Sequence, residues 1–389
     1  MSFLRLSLPR TVIVLGLVSL LNDTASEMIA PLLPVFLTAT LGAGPAVVGL
    51  IEGVAEAVAS VLKLVSGRLA DRGWNRKALV VGGYGVSNAA RPLIGLALGW
   101  GWVLGLRFLD RVGKGLRTAP RDAILSASVD NRVRGRAFGF HRALDHAGAM
   151  VGPLLAFVLL QAQVDMRHVF LLSVVPGLLV LALLMLGLDD GARPPPSPPA
   201  PLRWRHLDRR VRGLIAAAGM LALASTPEAF LVLWAEQRGL KIAWIPLIWA
   251  AAHGAKAVVA APAGMLSDRW GRVPVMAAGW ILRIAALVLL ALWQDGPVLV
   301  WALFLAYAAA LAFTEGAERA LIGDYAPAAV KATAFGLYHL VAGVAALPGA
   351  VLFGLLWQWY GMATAFLAAA VLTALAAGVL LLQLRRRPG

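Results

Sequence analysis

The chain has 389 residues, of which 60% are hydrophobic and only 14% are charged, and its formal net charge is +15. A water-soluble protein of this composition would expose large apolar patches and aggregate, so the composition excludes an ordinary soluble fold. The absence of cysteine excludes disulfide bonds, thiolate metal sites and cysteine nucleophiles. The chain is therefore predicted to be a membrane protein.

Twelve apolar stretches are each long enough to cross a bilayer, which requires about 20 residues. They cover residues 11–38, 46–66, 78–100, 102–128, 138–160, 167–187, 213–236, 244–265, 274–293, 298–323, 334–357 and 362–384. The first contains Pro31 and Pro34 and has no small-residue cleavage site, so it is predicted to be a retained helix and not a signal peptide. The expected fold is an all-α membrane protein with twelve transmembrane helices in two six-helix bundles.

The chain contains an internal repeat with an offset of 197 residues. The sequence Gly-Arg-Leu-Ala-Asp-Arg at residues 67–72 recurs as Gly-Met-Leu-Ser-Asp-Arg at residues 264–269, and residues 134–139 recur at residues 331–336. Two separate landmarks therefore agree on one repeat length. A parallel repeat of six spans is typical of transporters whose halves rock about a site near the middle of the membrane.

The two copies are separated by a Pro- and Arg-rich stretch over residues 189–212. Such a stretch does not form a helix and is extended and semi-rigid. We therefore expect an N-terminal bundle over residues 1–188, a linker over residues 189–212 and a C-terminal bundle over residues 213–389.

Basic residues are distributed unevenly between the loops. Most of the 35 Lys and Arg residues lie at the two ends, in the linker and in loops on one side of the predicted spans, whereas the opposite loops hold only Arg167, Arg238 and Lys241. By the positive-inside rule, both termini and the linker are cytoplasmic. We expect a multi-pass protein of the cell membrane, the inner membrane in a bacterium, whose positive charge reports topology and not nucleic-acid binding.

The loop after the second span resembles the signature of the major facilitator superfamily. Its pattern is Gly67-x-Leu69-x-Asp71-Arg72-x-x-Asn75-Arg76-Lys77, and the second copy reads Gly264-x-Leu266-x-Asp268-Arg269-x-Gly271-Arg272. With twelve spans, the resemblance covers the whole chain and implies the twelve-helix fold of that superfamily. It also implies that these loops gate the cytoplasmic side.

Two further motifs resemble those of drug:proton antiporters in the same superfamily. In the fourth span, Arg111-x-x-Lys114-Gly115-x-Arg117-x-Ala119 is similar to a proton-coupling motif, with basic residues at two altered positions. In the fifth, Gly148-x-x-x-Gly152-Pro153-x-x-Ala156 resembles an antiporter motif in which Gly is usual at the last position. The resemblance implies export in exchange for protons. The expected gating residues are Gly67, Asp71, Arg72, Arg76, Gly264, Asp268, Arg269, Arg272, Gly148, Gly152 and Pro153.

Charged residues inside the predicted spans are concentrated in the N-terminal half. A charge at the bilayer centre costs a few kcal/mol or more, so such groups normally face the bundle interior or a wet cavity. Helical spacing places the charges of spans 1, 2, 4 and 5 on shared faces, which predicts one aqueous cavity. The expected cavity residues are Arg107, Asp110, Arg111, Lys114, Arg117, Arg142, Asp145, Glu228, Glu315 and Glu318.

An acid that gains and loses a proton as access alternates can couple transport to protons. The candidates are Asp23, Glu27, Glu52 and Glu56, with Arg111 as a partner. Neutralisation of each acid by a neighbouring Arg or Lys is the alternative. Span 4 carries more cations than its acids neutralise, which favours an anionic, zwitterionic or amphiphilic solute.

Three functions are compatible with these features. The first is a proton-coupled exporter of a small organic solute, and the second is an importer of an organic or phosphorylated anion. The third is a divalent metal exporter that uses the four carboxylates of spans 1 and 2 as oxygen ligands. No phosphate-binding loop is present, so ATP is not the expected energy source. No enzyme activity and no cofactor are expected, and a monomer is expected because one chain supplies both halves of the pathway.

Overall fold

A computed structural model describes residues 8–130, 134–188, 204, 207, 209–293, 296–325 and 331–385. Regular structure in these residues is entirely helical. The linker predicted over residues 189–212 lies mostly outside them.

The N-terminal half contains eight α-helices in the part of the chain that the structure describes. They are α1 (Arg10–Glu27), α2 (Leu33–Val35), α3 (Pro45–Asp71), α4 (Arg76–Leu93), α5 (Trp100–Ala127), α6 (Arg134–Gln161), α7 (Met166–Leu172) and α8 (Val174–Gly187). The single turn α2 continues into a π-helical turn over Phe36–Thr40. The first predicted span is thus a broken helix, because the chain between α1 and Pro34 passes through turns around Pro31.

The C-terminal half contains seven α-helices within the described residues. They are α9 (Arg209–Leu223), α10 (Glu228–Gln237), α11 (Ile245–Trp270), α12 (Arg272–Leu292), α13 (Pro297–Tyr325), α14 (Lys331–Tyr360) and α15 (Met362–Arg385). Its first span is also broken, because α9 and α10 are separated by a segment that contains Pro227. These helices coincide with the twelve predicted spans and confirm the predicted fold class.

Eight segments of the described residues are long and apolar enough to cross a membrane by length and composition. They are Pro45–Asp71, Arg136–Gln161, Met166–Gly187, Val211–Gln237, Ile242–Trp270, Arg272–Leu292, Ala334–Tyr360 and Met362–Leu382. The other four predicted spans are α1 with α2, α4, α5 and α13. The span formed by α1 and α2 is broken between the two helices. The helix α5 has five charged residues near its middle, which are Arg107, Asp110, Arg111, Lys114 and Arg117. The helix α5 is therefore the most highly charged helix of the N-terminal half.

The chain divides into two compact units. The first comprises the described residues within 1–30 and 62–199, and the second comprises those within 31–61 and 200–389. The first unit contains α1, α4 to α8 and the last part of α3, and the second contains α2, the rest of α3 and α9 to α15.

The same helix pairs pack together in both units. In the first, α1 packs on α6 and α8, and α4 packs on α5 and α8. In the second, α9 packs on α14 and α15, and α12 packs on α13 and α15. Each pair in the second unit joins the repeat counterparts of a pair in the first. The sequence repeat therefore corresponds to a repeated helical bundle.

Candidate functional site

A buried ion pair joins α4 and α5. Arg91 Nε lies 2.9 Å from Asp110 Oδ1, and the Asp110 side chain is only 1% exposed. Arg107 Nη1 and Arg111 Nε lie 3.5 and 3.7 Å from the other carboxylate oxygen. Charges in an apolar interior must be paired, so one carboxylate here compensates three guanidinium groups. The predicted site residues Arg107, Asp110 and Arg111 are therefore brought together.

Arg117 lies about two turns beyond Asp110 on α5 and faces α4. Its Nη1 donates to Ser87 Oγ at 2.7 Å, and its guanidinium lies 4.4 Å from the centre of the Tyr84 ring. The Ser87 hydroxyl in turn donates to the Asp110 carbonyl oxygen at 2.9 Å. A buried cation over an aromatic ring is stabilised by the ring quadrupole. Arg117 therefore contributes to the contact between α4 and α5.

A pair of carboxyl groups joins α1 and α6. Asp23 and Asp145 are close neighbours, and Glu27 and Lys114 are the other charged neighbours of Asp23. Ser19 Oγ donates to Asp145 Oδ1 at 2.7 Å, and Arg142 Nη1 donates to Asp145 Oδ2 at 3.2 Å. Two ionised carboxylates at close range repel each other, so a proton on one of the two groups relieves the repulsion. The pair is a place where the protein can hold a proton.

Asn22 connects the carboxyl pair to the ion pair. Its side-chain Nδ2 donates to Asp23 Oδ1 at 2.9 Å, and its Oδ1 accepts from Arg91 Nη1 at 2.9 Å. A continuous polar chain thus runs from Asp110 through Arg91, Asn22 and Asp23 to Asp145. We call this chain the polar relay.

Two glycines of α6 allow α1 to approach closely enough for these contacts. A Cβ atom on Gly148 would overlap the Leu20 carbonyl oxygen and lie 3.1 Å from Asp23 Cβ. A Cβ atom on Gly152 would lie 2.5 Å from the Thr24 carbonyl oxygen and 3.0 Å from Glu27 Cβ. Small residues at this spacing bring helix backbones together. The antiporter-like motif therefore packs directly against the turns of α1 that carry the two acids, and its Pro153 is buried next to Gly152.

The second unit carries a separate ion pair. Glu228, the first residue of α10, contacts Lys256 of α11, and His253 is a further neighbour of Glu228. The side chains of this pair are about a quarter to a third exposed. Trp280 Nε1 donates to Glu318 Oε1 at 3.3 Å. The side chain of Glu315 lies outside the part of the chain that the structure describes.

The four acids predicted to couple protons fall into different units. Asp23 and Glu27 belong to the first unit, and Glu52 and Glu56 of α3 belong to the second. Glu56 is exposed and accepts from Ser60 Oγ at 3.4 Å. Among the described residues, no three or more His, Cys, Asp or Glu side chains are grouped so that they could hold a metal ion.

The predicted gating residues lie at corresponding helix ends. In the first copy, Gly67 and Asp71 are in the last turns of α3, Arg72 follows it and Arg76 begins α4. Asp71 and Arg72 are exposed. Asn75 caps α4, because its Oδ1 accepts the Ala78 N–H at 3.1 Å.

In the second copy, Gly264, Asp268 and Arg269 lie in the last turns of α11, and Arg272 begins α12. Arg272 pairs with Asp268, and its Nε lies 3.2 Å from Asp324 Oδ2 near the end of α13. Arg272 Nη1 also donates to Ser267 Oγ at 2.9 Å. The second signature therefore ties the loop between α11 and α12 to α13.

The sequence did not indicate three members of the site. Asn22 and Ser19 are uncharged, so a search for charges inside the spans passes over them. Arg91 is charged and lies within the third span but is not among the expected cavity residues, and the structure shows it buried and paired. A polar residue directly before Asp23, within an otherwise apolar span, was the available signal for Asn22.

Comparison with known proteins assigns a family to this arrangement. A family model described as Major Facilitator Superfamily matches residues 15–256 and 242–389. An uncharacterized MFS-type transporter of Methanocaldococcus jannaschii is 33% identical over 361 residues, covering 90% of this chain and 89% of that protein. A multidrug resistance protein, MdtH, of an Enterobacter species is 31% identical over 135 residues, covering 34% of this chain and 33% of that protein.

Solved structures share the fold. A bacterial homolog of the human lysosomal transporter Spinster, in an inward-facing and unoccupied conformation, has a TM-score of 0.80 at 17% identity. The alignment covers 97% of this chain and 98% of that one. At this identity the likeness shows the fold alone.

Proposed function

The chain belongs to the major facilitator superfamily, and from this membership we propose that it is a proton-coupled antiporter that exports a small organic solute. Like the matched members of the family, the chain is a membrane transporter and not an enzyme. Proton coupling, the direction of transport and the class of solute are the proposed part.

The observation that carries the proposal is that the carboxyl groups of Asp23 on α1 and Asp145 on α6 are close neighbours. A carboxyl pair that shares one proton releases or binds it when its surroundings change, which is the property a coupling site needs. The pair is linked to helices α1, α4, α5 and α6 through the polar relay and through Lys114. A rearrangement of these helices during transport would therefore change the environment of the shared proton.

Two observations support exchange over co-transport. Gly148 and Gly152 belong to a motif that resembles that of antiporters, and both pack against the turns of α1 that carry Asp23 and Glu27. The partial similarity to a multidrug resistance protein agrees with export of an organic compound.

The charges of α5 support an anionic, zwitterionic or amphiphilic solute. Within about three turns, this helix carries four cations and one acid. The cations are Arg107, Arg111, Lys114 and Arg117, and the acid is Asp110. We propose that the positive potential of α5 attracts the negative group of a solute. The metal-exporter alternative has no supporting observation, because no group of metal ligands is found among the described residues.

We further propose that the chain works as a monomer in the cell membrane with both termini and the linker in the cytoplasm. The distribution of Lys and Arg between the loops supports this orientation. One chain supplies both copies of the bundle.

The proposal is tested with proteoliposomes that contain a trapped pH dye. A panel of anionic, zwitterionic and cationic organic solutes is added under an imposed pH gradient, and proton movement is recorded. We expect anionic or zwitterionic solutes to drive proton flux in the opposite direction to the solute. Asp23→Asn should abolish this flux, because an amide cannot take up the shared proton.

Asp165→Asn is the matched control. Asp165 caps α7 by accepting the Arg167 N–H at 2.8 Å, and it lies outside the polar relay. Because Asn is an equally good cap, this variant should transport like the natural chain. Undiminished proton flux in Asp23→Asn would contradict the proposal. Flux of proton and solute in the same direction would instead favour the importer.

A further inference from the structure

Asn22 is a buried amide whose two ends have opposite partners. Its side chain lies on α1, the residue is 2% exposed, and both ends of the amide are hydrogen-bonded. The oxygen end faces Arg91 of α4, and the nitrogen end faces Asp23. The Asn22 carbonyl oxygen also accepts from Arg91 Nη1 at 3.3 Å. Asn22 is thus held by a cation that is itself fixed by Asp110.

These partners determine which way the amide points. A guanidinium group can only donate hydrogen bonds, so the Asn22 oxygen must face Arg91. The amide nitrogen is consequently turned toward Asp23, where it can only donate. Because Arg91 is held by its ion pair with Asp110, the Asn22 amide presents its hydrogen-bond donor to Asp23.

We infer that Asn22 is a positioning residue that couples the buried Arg91–Asp110 ion pair to the proton shared by Asp23 and Asp145. This inference rests on the proposed proton-coupling function and assigns a task to a residue that carries no charge. The donor from Asn22 favours the ionised form of Asp23, and the bond weakens when Asp23 is protonated. Movement of Arg91 would thereby change the affinity of the acid pair for its proton.

Other charged groups face the same acids from each packed helix. They are Glu27 on α1, Lys114 and Arg121 on α5, and Asp145, Arg142 and the titratable His141 on α6. The helix α8, which also packs on α1, contains no charged residue. Asn22 itself carries no charge and links Asp23 directly to Arg91.

The inference is tested by infrared spectroscopy of the purified full chain in lipid, which requires no knowledge of the solute. The C=O stretching band of protonated carboxyl groups is recorded during a pH titration. The natural chain is compared with Asp23→Asn, Asn22→Ala and the control Asn88→Ala. Asn88 is a matched control because its buried amide also accepts from Arg91 Nη1, at 3.3 Å, whereas its nitrogen donates to the Tyr84 carbonyl oxygen.

We expect Asp23→Asn to remove a component of the band. Asn22→Ala should shift the midpoint of that component by about one pH unit, the size expected for the loss of one charge-assisted hydrogen bond. Asn88→Ala should leave the midpoint in place. No shift in Asn22→Ala, or equal shifts in both Asn variants, would overturn the inference.

The outcomes also separate this inference from the proposed function. If Asp23→Asn leaves the band unchanged, Asp23 holds no exchangeable proton and the proposed function fails. If Asp23→Asn removes the component but Asn22→Ala does not shift it, only the role of Asn22 fails. Should Asn22→Ala not fold, Asn22→Ser replaces it, because its shorter side chain is polar but cannot reach both Arg91 and Asp23.

Discussion

Asp110 is the residue on which the charge balance of the first unit depends. It lies within 4 Å of three arginines and is almost fully buried. Its carboxylate offsets cations that would otherwise be uncompensated in an apolar interior. We regard it as the fixed end of the polar relay, and Asp23 and Asp145 as the end where a proton is exchanged.

We predict that Asp110→Asn destabilises the protein strongly. Removing one partner of a buried ion pair costs about 3–5 kcal/mol, because the remaining charge has no compensation. Thermal unfolding of the purified protein should show a lower midpoint for Asp110→Asn than for Asp130→Asn, since Asp130 is exposed after the end of α5. Equal midpoints for the two variants would show that Asp110 does not balance the arginines.

The charged part of the site was largely predictable, whereas its connections were not. Asp23, Asp110 and Asp145 stand out in the sequence because charges inside a span are costly. Their partners depend on which helices adjoin and on side-chain orientation, which helical spacing within one span cannot give. Asn22 escaped prediction for this reason, because its role arises only when α4 brings Arg91 beside α1.

The distance between α1 and α6 controls the geometry of Asp23 and Asp145. Gly148 and Gly152 let the α6 backbone touch the α1 backbone at Leu20 and Thr24. Asp23 and Asp145 could not reach each other across a wider gap. The antiporter-like motif thus lets α1 and α6 pack closely beside the acid pair.

We predict that Gly148→Ala and Gly152→Ala each destabilise the first unit and weaken proton flux. The added Cβ atom forces the two helices apart, and overpacking of this kind costs about 1–3 kcal/mol. Gly139→Ala is the control on the same helix, since a Cβ atom there meets no atom within 4 Å. Alanine favours a helix more than glycine, so this control should be at least as stable as the natural chain. Similar unfolding midpoints for all three variants would refute the packing role.

A second feature of the helices is repeated in both units. In each, a buried arginine of the third span donates to a backbone carbonyl oxygen of the first span. Arg91 reaches Asn22, and Arg283 Nη2 reaches the Ala224 carbonyl oxygen at 2.9 Å, at the break between α9 and α10. The two units differ in what surrounds this contact, because the polar relay is found at Arg91 and not at the corresponding place in the described part of the second unit. The duplicated fold therefore carries unequal chemistry in its two copies.

The lengths of the apolar stretches predicted the twelve spans of the chain well, because each stretch must cross the same bilayer. The breaks at the first span of each half were marked by Pro31, Pro34 and Pro227, but their positions depend on tertiary packing. The repeated packing pairs follow from the duplication. No sequence pattern indicates that residues 31–61 belong to the second unit. This assignment reflects contacts between segments that are far apart in the sequence.

The orientation of the whole chain can be tested directly because the natural sequence contains no cysteine. Single cysteines can be introduced at Trp74, in the loop that carries Arg72 and Arg76, and at Ala162, in the loop before α7. Both positions are exposed. In the proposed orientation, the loop at Trp74 with its excess of basic residues is cytoplasmic and the loop at Ala162 lies outside. A membrane-impermeant maleimide added to intact cells should therefore label Ala162→Cys at once and Trp74→Cys only after the membrane is opened. The natural chain gives the unlabelled baseline, and the reverse pattern would mean that the chain is inserted with its termini outside.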